Sequence, residues 1–195
     1  TIFHDSKIKV SKQLGDGNLL SQLSKNIVIN NFRKSDLENN GQGAPLTPIF
    51  HNLISNQIKE KYNLNFPLSI INIGGITNIT NVINNTFSFD ACDISPGNCL
   101  IDEWVRKNSK KKFDQNGNIA KSGKVNNLIL NQAVDNFNFK DYRRSLDIND
   151  FDISFVKGLS LEDGCATLTK FTAYLIAQGI IYTNKVNINI LKNIF

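Results

Sequence analysis

The pattern of apolar and polar positions changes period several times along the chain and predicts strands interleaved with helices. Alternation over 7–14, a short apolar run over 27–30 and a second run over 186–191 each predict a strand. The β-branched segment 68–94 predicts a meander of strands joined by turns. Helical periodicity predicts helices over 18–26, 48–62, 98–108, 125–134 and 161–182. This order of strands and helices indicates the α/β class.

Boundary residues refine this prediction. Asn18 is a candidate N-cap for the first helix, and Pro48 suits the first position of the second. The apolar stripe predicted to face inward on that second helix consists of Ile49, Leu53, Ile54 and Ile58. The long polar stretch 30–48 predicts a loop of functional length, and "NLNFP" at 63–67 predicts a domain boundary.

Composition narrows the class of protein. A hydrophobic fraction of 41% and a charged fraction of 20% are ordinary for a soluble globular protein, and no apolar run is long enough to cross a bilayer. Cys92, Cys99 and Cys165 form no CxxC pair, which favours reduced thiols in a cytoplasm. His4 and His51 lack partners at metal-ligand spacing, so no metal site is predicted.

The net charge of +5, with a pI near 9.1, is compatible with an anionic partner. The densest basic stretch, "RKNSKKKF" at 106–113, falls at the end of a predicted helix, where cations suit the helix dipole. It contains one aromatic residue and belongs to no known binding module, so a solvated helix end is favoured over a nucleic-acid site. Neither nucleic acid nor a membrane is therefore predicted as a partner.

The glycine turn "NIGGITN" at 72–78 is the first candidate site. Gly74 and Gly75 let backbone N–H groups approach a phosphate, and Thr77 and Asn78 offer side-chain hydrogen bonds. The alternative is a tight hairpin whose glycines need positive φ, and the stretch alone favours that alternative.

"DISPGN" at 93–98 is the second candidate. Asn98 suits the N-cap of the following helix, whose free N–H groups suit an anion, and Asp93 is a candidate general base. The alternative is an Asx-type turn that only caps the helix, and it is the more common use of such a residue.

A third candidate is the loop "NGQGAPLTP" at 40–48, where Gln42 and Gly43 give a backbone that can close on a ligand. Arg33 and Asp36 lie on the same connection and suit a carboxylate and a hydroxyl. A structural Ω-loop is the alternative.

The order of these segments is more specific than any one of them. "NNFRKSDLENNGQGAPLTPIFH", "INIGGITNIT", "DISPGNCLIDEW" and "FDQNGNIAKSG" together closely resemble the anhydro-N-acetylmuramic acid kinases. The resemblance implies the RNase H-like fold of actin and the sugar kinases, with two lobes. Residues 1–66 would then form the C-terminal part of the first lobe and residues 67–195 most of the second.

The resemblance also implies a function. The family uses ATP and Mg²⁺, opens the 1,6-anhydro ring with water and phosphorylates O6, giving N-acetylmuramic acid 6-phosphate in peptidoglycan recycling. Asp93 corresponds to the family's catalytic base, which is chemically coherent because hydrolysis at a glycosidic carbon needs a base on the face opposite the leaving oxygen. The turn of Gly74, Gly75, Thr77 and Asn78 would contact phosphate. Arg33, Gln42, Gly43 and Asn98 would lie on the sugar side.

The chain departs from the family pattern at three positions, where Asn31 replaces Asp, Cys92 replaces Phe and Ser95 replaces Gly. If position 95 needs positive φ, Ser95 would strain the corner by about 1 kcal/mol. The chain starts with Thr1 and has no Met, and it lacks the family's GTSxDGxD and GGGxxN loops. We therefore expect an internal fragment, incomplete at both ends, that does not turn over ATP alone.

Two alternatives stay open at this point. The chain would be an inactive or sugar-binding remnant of such a kinase if the gene is truncated. The resemblance implies a cytoplasmic homodimer, but the apolar stripe of 161–182 is equally consistent with intramolecular core.

Overall fold

A computed structural model describes residues 3–5, 7–44, 46–84, 88–137 and 145–185. The strands are β1 (Phe3–Asp5), β2 (Val10–Lys12), β3 (Leu68–Ile73), β4 (Ile76–Val82) and β5 (Phe89–Pro96). The α-helices are α1 (Gly17–Ser24), α2 (Phe32–Glu38), α3 (Pro48–Tyr62), α4 (Cys99–Asn108), α5 (Asn118–Ser122), α6 (Asn127–Asn136) and α7 (Leu161–Lys185). Short 3₁₀ turns span Gln115–Gly117, Ile148–Asp150 and Ser154–Val156. This mixture fits the α/β class; the strand predicted over 186–191 lies outside the described residues.

The meander prediction is confirmed. Strands β3, β4 and β5 form an antiparallel sheet in that order, with Ile73 opposite Thr77 and Val82 opposite Phe89. The strand predicted over 27–30 is wrong, because these residues are irregular and Ile27 and Ile29 are exposed. An apolar run alone does not make a strand where no neighbour supplies hydrogen bonds.

The strand predicted over 7–14 is shorter in the structure. Only Val10–Lys12 pairs, with β1, because residues 7–9 turn the chain. The Asp5 carboxylate accepts hydrogen bonds from the backbone N–H groups of Lys7 and Ile8, and Lys9 has a left-handed φ of 54°. These contacts close a turn where alternation predicted an extended chain.

The main hydrophobic core lies around α7. Helices α4, α5 and α6 pack against it, and the buried side chains of this core are Leu100, Trp104, Val105, Ile119, Leu130, Ala133, Ile153, Val156, Cys165, Leu168, Phe171 and Leu175. Trp104 lies at the centre of this core: its side chain is 4% exposed, and its indole N–H donates to the Leu161 carbonyl at 3.1 Å. The apolar stripe of α7 is therefore intramolecular core.

A close helix contact makes that core possible. A Cβ atom on Gly164 would lie 2.3 Å from the indole nitrogen of Trp104, so only glycine lets α7 approach α4 this closely. Toward the C-terminal end of α7, a Cβ atom on Gly179 would meet Ile94 of β5 at 2.7 Å. The same helix thus packs against both α4 and the sheet.

The N-terminal helices differ from the predictions in two ways. Asp16, not Asn18, caps α1: its carboxylate accepts from the N–H groups of Asn18 and Leu19 at 2.8 and 3.2 Å. Helix α2 occupies part of the stretch predicted as loop. Most residues of α2 are polar and Leu37 is its one buried side chain, so no apolar periodicity indicated this helix.

Helix α3 begins at Pro48 as predicted, but it buries a different face. Ile49 and Leu53, predicted to point inward, are 60% and 53% exposed, whereas Asn52 and Ser55 are buried. The buried polar face lies toward the sheet, and the Nδ1 atom of His51 is 2.9 Å from the hydroxyl of Thr80 on β4. Across the ranges described, no helix is long and apolar enough to span a membrane.

Candidate active site

A β-bulge places the carboxylate of Asp93. Asn78 lies opposite Asp93, but the next pair along is Thr77 with Ser95, so Ile94 is the extra residue on β5. Bulges bend a strand and redirect its side chains, and they are common beside active sites. Asp93 is 7% exposed at this position. The sheet thus holds a buried acid at the irregular end of its last strand.

Two donors from a distant segment hold one oxygen of that carboxylate. The backbone N–H of Leu146 donates to Oδ2 of Asp93 at 2.8 Å, and the hydroxyl of Ser145 donates to the same atom at 3.2 Å. Burial raises the pKa of Asp93 above its usual value, while these two hydrogen bonds and the charge of Arg33 lower it. Burial is the larger effect, so the carboxyl is a stronger base than an exposed aspartate.

The site faces the side of the sheet on which α3 lies. Side chains of alternate strand residues share a face, so Asn78, Thr80 and Asp93 point the same way across the paired strands. The contact between Thr80 and His51 of α3 identifies that side. Arg33 on α2 also lies close enough to Asp93 for its positive charge to lower the pKa of that carboxyl.

The glycine turn packs directly on the start of α4. The N–H groups of Gly97 and Cys99 donate to the Gly75 carbonyl at 2.8 and 3.3 Å, and that of Asn98 donates to the Gly74 carbonyl at 2.7 Å. A Cβ atom on Gly97 would lie 2.1 Å from the Gly74 oxygen, so position 97 requires glycine. The two motifs predicted separately from sequence therefore form one structural unit.

This contact corrects the prediction for the start of α4. The N–H groups of Asn98 and Cys99 are bonded to the glycine turn rather than offered to an anion, and Asn98 makes no side-chain cap. The Asn98 side chain is exposed. The glycine turn closes a tight hairpin between β3 and β4, as the alternative interpretation held, but Gly74 and Gly75 do so without a left-handed φ.

Ser95 and Thr77 use their hydroxyls inside the structure. Each donates to the Pro96 carbonyl, at 3.0 and 3.4 Å, and both side chains are fully buried. Ser95 does not have a positive φ, so the conditional strain at this corner does not arise. Asn78 is half-buried and, in contrast to Thr77, shares the face of Asp93.

Arg33 and Asp36, which were predicted to bind ligand, instead form hydrogen bonds to the third candidate loop at 40–48. The Arg33 guanidinium donates to the Gly43 carbonyl at 3.0 Å, and the Asp36 carboxylate accepts from the Gly43 N–H at 2.7 Å. Gly43 is buried with a left-handed φ of 71°, and Gln42 beside it is exposed. Asn31, the departure from the family Asp, begins α2 with a left-handed φ of 64° and makes no side-chain cap. The loop has the internal bonding of an Ω-loop.

The cysteines near the site are protonated thiols. Burial raises the pKa of Cys92 to about 12, and the charges of Asp90 and Asp93 add to this effect. Burial likewise raises the pKa of Cys99. Because the thiolate is the reactive form, neither competes with Asp93 as a base or nucleophile.

Ser145 and Leu146 are functional candidates that the sequence did not identify. The contact spans 52 residues of sequence, and no motif of the segment around Ser145 indicates it. His51, which has no partner at metal-ligand spacing in the sequence, is half-buried against Thr80, where burial lowers its pKa.

A magnesium ion is implied by the family resemblance. The described residues contain no group of three His, Cys, Asp or Glu side chains able to hold a metal. Mg²⁺ commonly needs only one or two carboxylates when phosphates supply other ligands. Among the described residues there is therefore no metal cage of the protein's own.

The fold is of the α/β class, and its antiparallel sheet carries a buried carboxylate, Asp93, at a β-bulge. The sequence profile of the anhydro-N-acetylmuramic acid kinase family matches residues 1–190, and the chain belongs to that family.

Individual relatives agree with the family match. The chain is 54% identical over 184 residues to an anhydro-N-acetylmuramic acid kinase of Pelagibacter ubique, covering 93% of this chain and 48% of the relative. It is 37% identical over 181 residues to the Zymomonas mobilis enzyme of the same name, covering 92% of this chain and 48% of that protein. The chain thus spans about half the length of the curated relatives it matches.

Proposed function

We propose that the protein containing this chain is an ATP-dependent kinase that opens 1,6-anhydro-N-acetylmuramic acid with water and phosphorylates O6. The product would be N-acetylmuramic acid 6-phosphate, as expected for peptidoglycan recycling in the cytoplasm. The single observation that carries the proposal is the buried carboxylate of Asp93, bonded to Ser145 and Leu146 and opposite Asn78 on the face toward α3. The identity of the proposed substrate is inferred from membership in the family.

Asp93 has one role in this mechanism. Its carboxylate takes a proton from a water molecule, the water oxygen bonds to the anomeric carbon, and the bond from that carbon to O6 breaks. O6 then bonds to the γ-phosphorus of ATP, and ADP leaves with the electrons of the broken P–O bond. The proton taken by Asp93 passes to solvent. Burial, by raising the pKa of Asp93, strengthens it for the first transfer.

The other site residues would position the substrates. Asn78 lies opposite Asp93, and Gly74 and Gly75 form the turn that precedes β4, where they would contact the phosphates of ATP. The Arg33, Gln42 and Gly43 loop and Asn98 would border the sugar. Mg²⁺ would arrive with ATP and neutralise its phosphate charge.

We also infer that residues 1–66 form the C-terminal part of the first lobe of an RNase H-like sugar-kinase fold and residues 67–195 most of its second lobe, with the site between the two. Support comes from α3, which packs on the sheet face that carries Asp93. A homodimer belongs to the same proposal, and light scattering on the full-length protein tests it. The activity is assigned to the full-length protein, and we expect the 195 residues alone to lack turnover.

Asp93→Asn in the full-length protein tests the base. Loss of a general base should lower kcat/KM by about 10²- to 10⁴-fold in a coupled assay of ADP release with the anhydro sugar. Asp90→Asn is the matched control, because Asp90 lies on the same strand with an exposed side chain and should leave activity unchanged. Activity of Asp93→Asn within a few-fold of the parent protein would refute the assignment.

A further inference from the structure

The segment that reaches Asp93 is organised for that contact. Ser145 and Leu146 are adjacent residues, and their two donors converge on the same oxygen, Oδ2. Both residues are half-buried, whereas the residues after them are exposed. A buried carboxylate bonded through one oxygen by two donors has its plane fixed, since rotation would break both bonds.

A local turn holds these donors in place. Asp147 and Asp150 form a capping box around the 3₁₀ turn: the Asp147 N–H donates to the Asp150 carboxylate at 2.8 Å, and the Asn149 N–H donates to the Asp147 carboxylate at 2.9 Å. The next residue, Phe151, stacks on Phe137 with ring centres 6.2 Å apart. The backbone directly after Leu146 is thereby tied to the core.

We propose that Ser145 is a positioning residue whose hydroxyl, together with the N–H of Leu146, orients the Asp93 carboxylate for proton transfer. This inference rests on the proposed function, since it assumes that Asp93 is the base. The Ser145 hydroxyl contacts no reacting atom and acts only through Asp93. The turn Ile148–Asp150 serves as the support that keeps both donors in register with the acid.

The hydrogen bond has a second consequence, on the protonation of Asp93. Hydrogen bonds to the charged form of a carboxylate favour ionisation, and both donors oppose the effect of burial on the pKa of Asp93. Removing the Ser145 hydroxyl should therefore raise this pKa further. The acid limb of the kcat/KM profile, which reports the free enzyme's essential base, should move to higher pH.

Ser145→Ala, Ser145→Thr and Ser109→Ala in the full-length protein form the test. Ser109 is the matched control, because it is also half-buried and its hydroxyl donates to the Val105 carbonyl at the end of α4. We expect Ser145→Ala to lower kcat roughly 10- to 100-fold with little change in KM for ATP, as a lost bond to a charged group implies. Ser145→Thr, which keeps the hydroxyl, should restore most of the activity, and Ser109→Ala should resemble the parent.

The outcomes separate this inference from the proposed function. If Asp93→Asn abolishes activity while Ser145→Ala keeps the parent kcat and acid limb, the positioning role is wrong and the proposed function stands. Equal losses in Ser145→Ala and Ser145→Thr without a shifted acid limb would mean a merely structural role and would also overturn the inference. If Asp93→Asn is fully active, both fail. Should Ser145→Ala not fold, Ser145→Cys, a near-isosteric weak donor, is expected to show the same shift.

Discussion

The two ends of this chain use their apolar residues differently. Around α7, the helices bury their apolar side chains in one core, which includes Trp104, Leu168 and Leu175. Helix α1 buries none of its residues, and Leu19, Leu20 and Leu23 are all exposed. Helix α3 likewise exposes Ile49, Phe50 and Leu53.

The difference shows what amphipathic periodicity can and cannot predict. Periodicity predicted helices in both regions, because capping and local spacing are enough to indicate a helix. The apolar face of a helix is the buried one where helices of this chain pack together, as α4 and α6 do on α7. Helix α3 packs on the sheet, and its buried side chains include the polar residues Asn52 and Ser55, so its polar face is the buried one.

Among the substitutions that test this comparison, Trp104→Ala should produce the largest change in the free energy of unfolding. Emptying the centre of the α7 core should lower the free energy of unfolding of the 195-residue chain by about 3 to 5 kcal/mol, measured by urea denaturation. Leu23→Ala on α1, where the side chain is 74% exposed, should change it by less than about 0.5 kcal/mol. Similar effects of the two substitutions would contradict the contrast between the regions.

Gly164→Ala should have the next largest effect. Alanine normally stabilises a helix relative to glycine by about 1 kcal/mol, but here the added methyl group meets the Trp104 indole. We expect a net loss of about 1 to 3 kcal/mol in the same measurement, since overpacking outweighs propensity. An increase in stability would show that α7 does not approach α4 as closely as described.

Asp16→Ala should have a smaller, local effect in the N-terminal region. Loss of the N-cap should destabilise α1 by about 1 kcal/mol, seen as faster amide hydrogen exchange in Gly17–Ser24. Asn18→Ala is the control, because the sequence predicted Asn18 as the cap and the structure assigns that role to Asp16. Faster exchange in Asn18→Ala alone would favour the sequence-based prediction.

The smallest effect expected is the pH dependence of stability contributed by Asp93. Because its pKa is raised in the folded chain, the folded state binds more protons than the unfolded state between the two pKa values. Its contribution to stability therefore decreases as pH rises from the unfolded pKa through the raised folded value. Asp93→Asn should remove this decrease, so the variant should gain stability relative to the parent at neutral pH. Unfolding curves at several pH values check this, and a gain confined to acid pH would reverse the sign.

Much of the site was predictable from the sequence, but not its assembly. The segments containing Gly74, Asp93 and Asn98 were all recognised, and Asp93 was selected as the base from the family motif. Their mutual contacts were not predictable from the sequence. The N–H groups at a helix start are normally left without a partner in the helix, but here Asn98 and Cys99 donate theirs to the carbonyls of Gly74 and Gly75. Ser145 was missed because its contact depends on how the chain returns to the sheet after α6.

The sequence by itself determined the helices α3, α4, α6 and α7, the β3–β5 meander and the family, because these depend on local periodicity, turn residues and ordered motifs. The tertiary structure alone decided which face of α3 is buried, where the bulge turns Asp93 and which donors hold its carboxylate. The physical reason is that local propensities act over a few residues. Burial and the pairing of buried polar groups are settled only when distant segments meet.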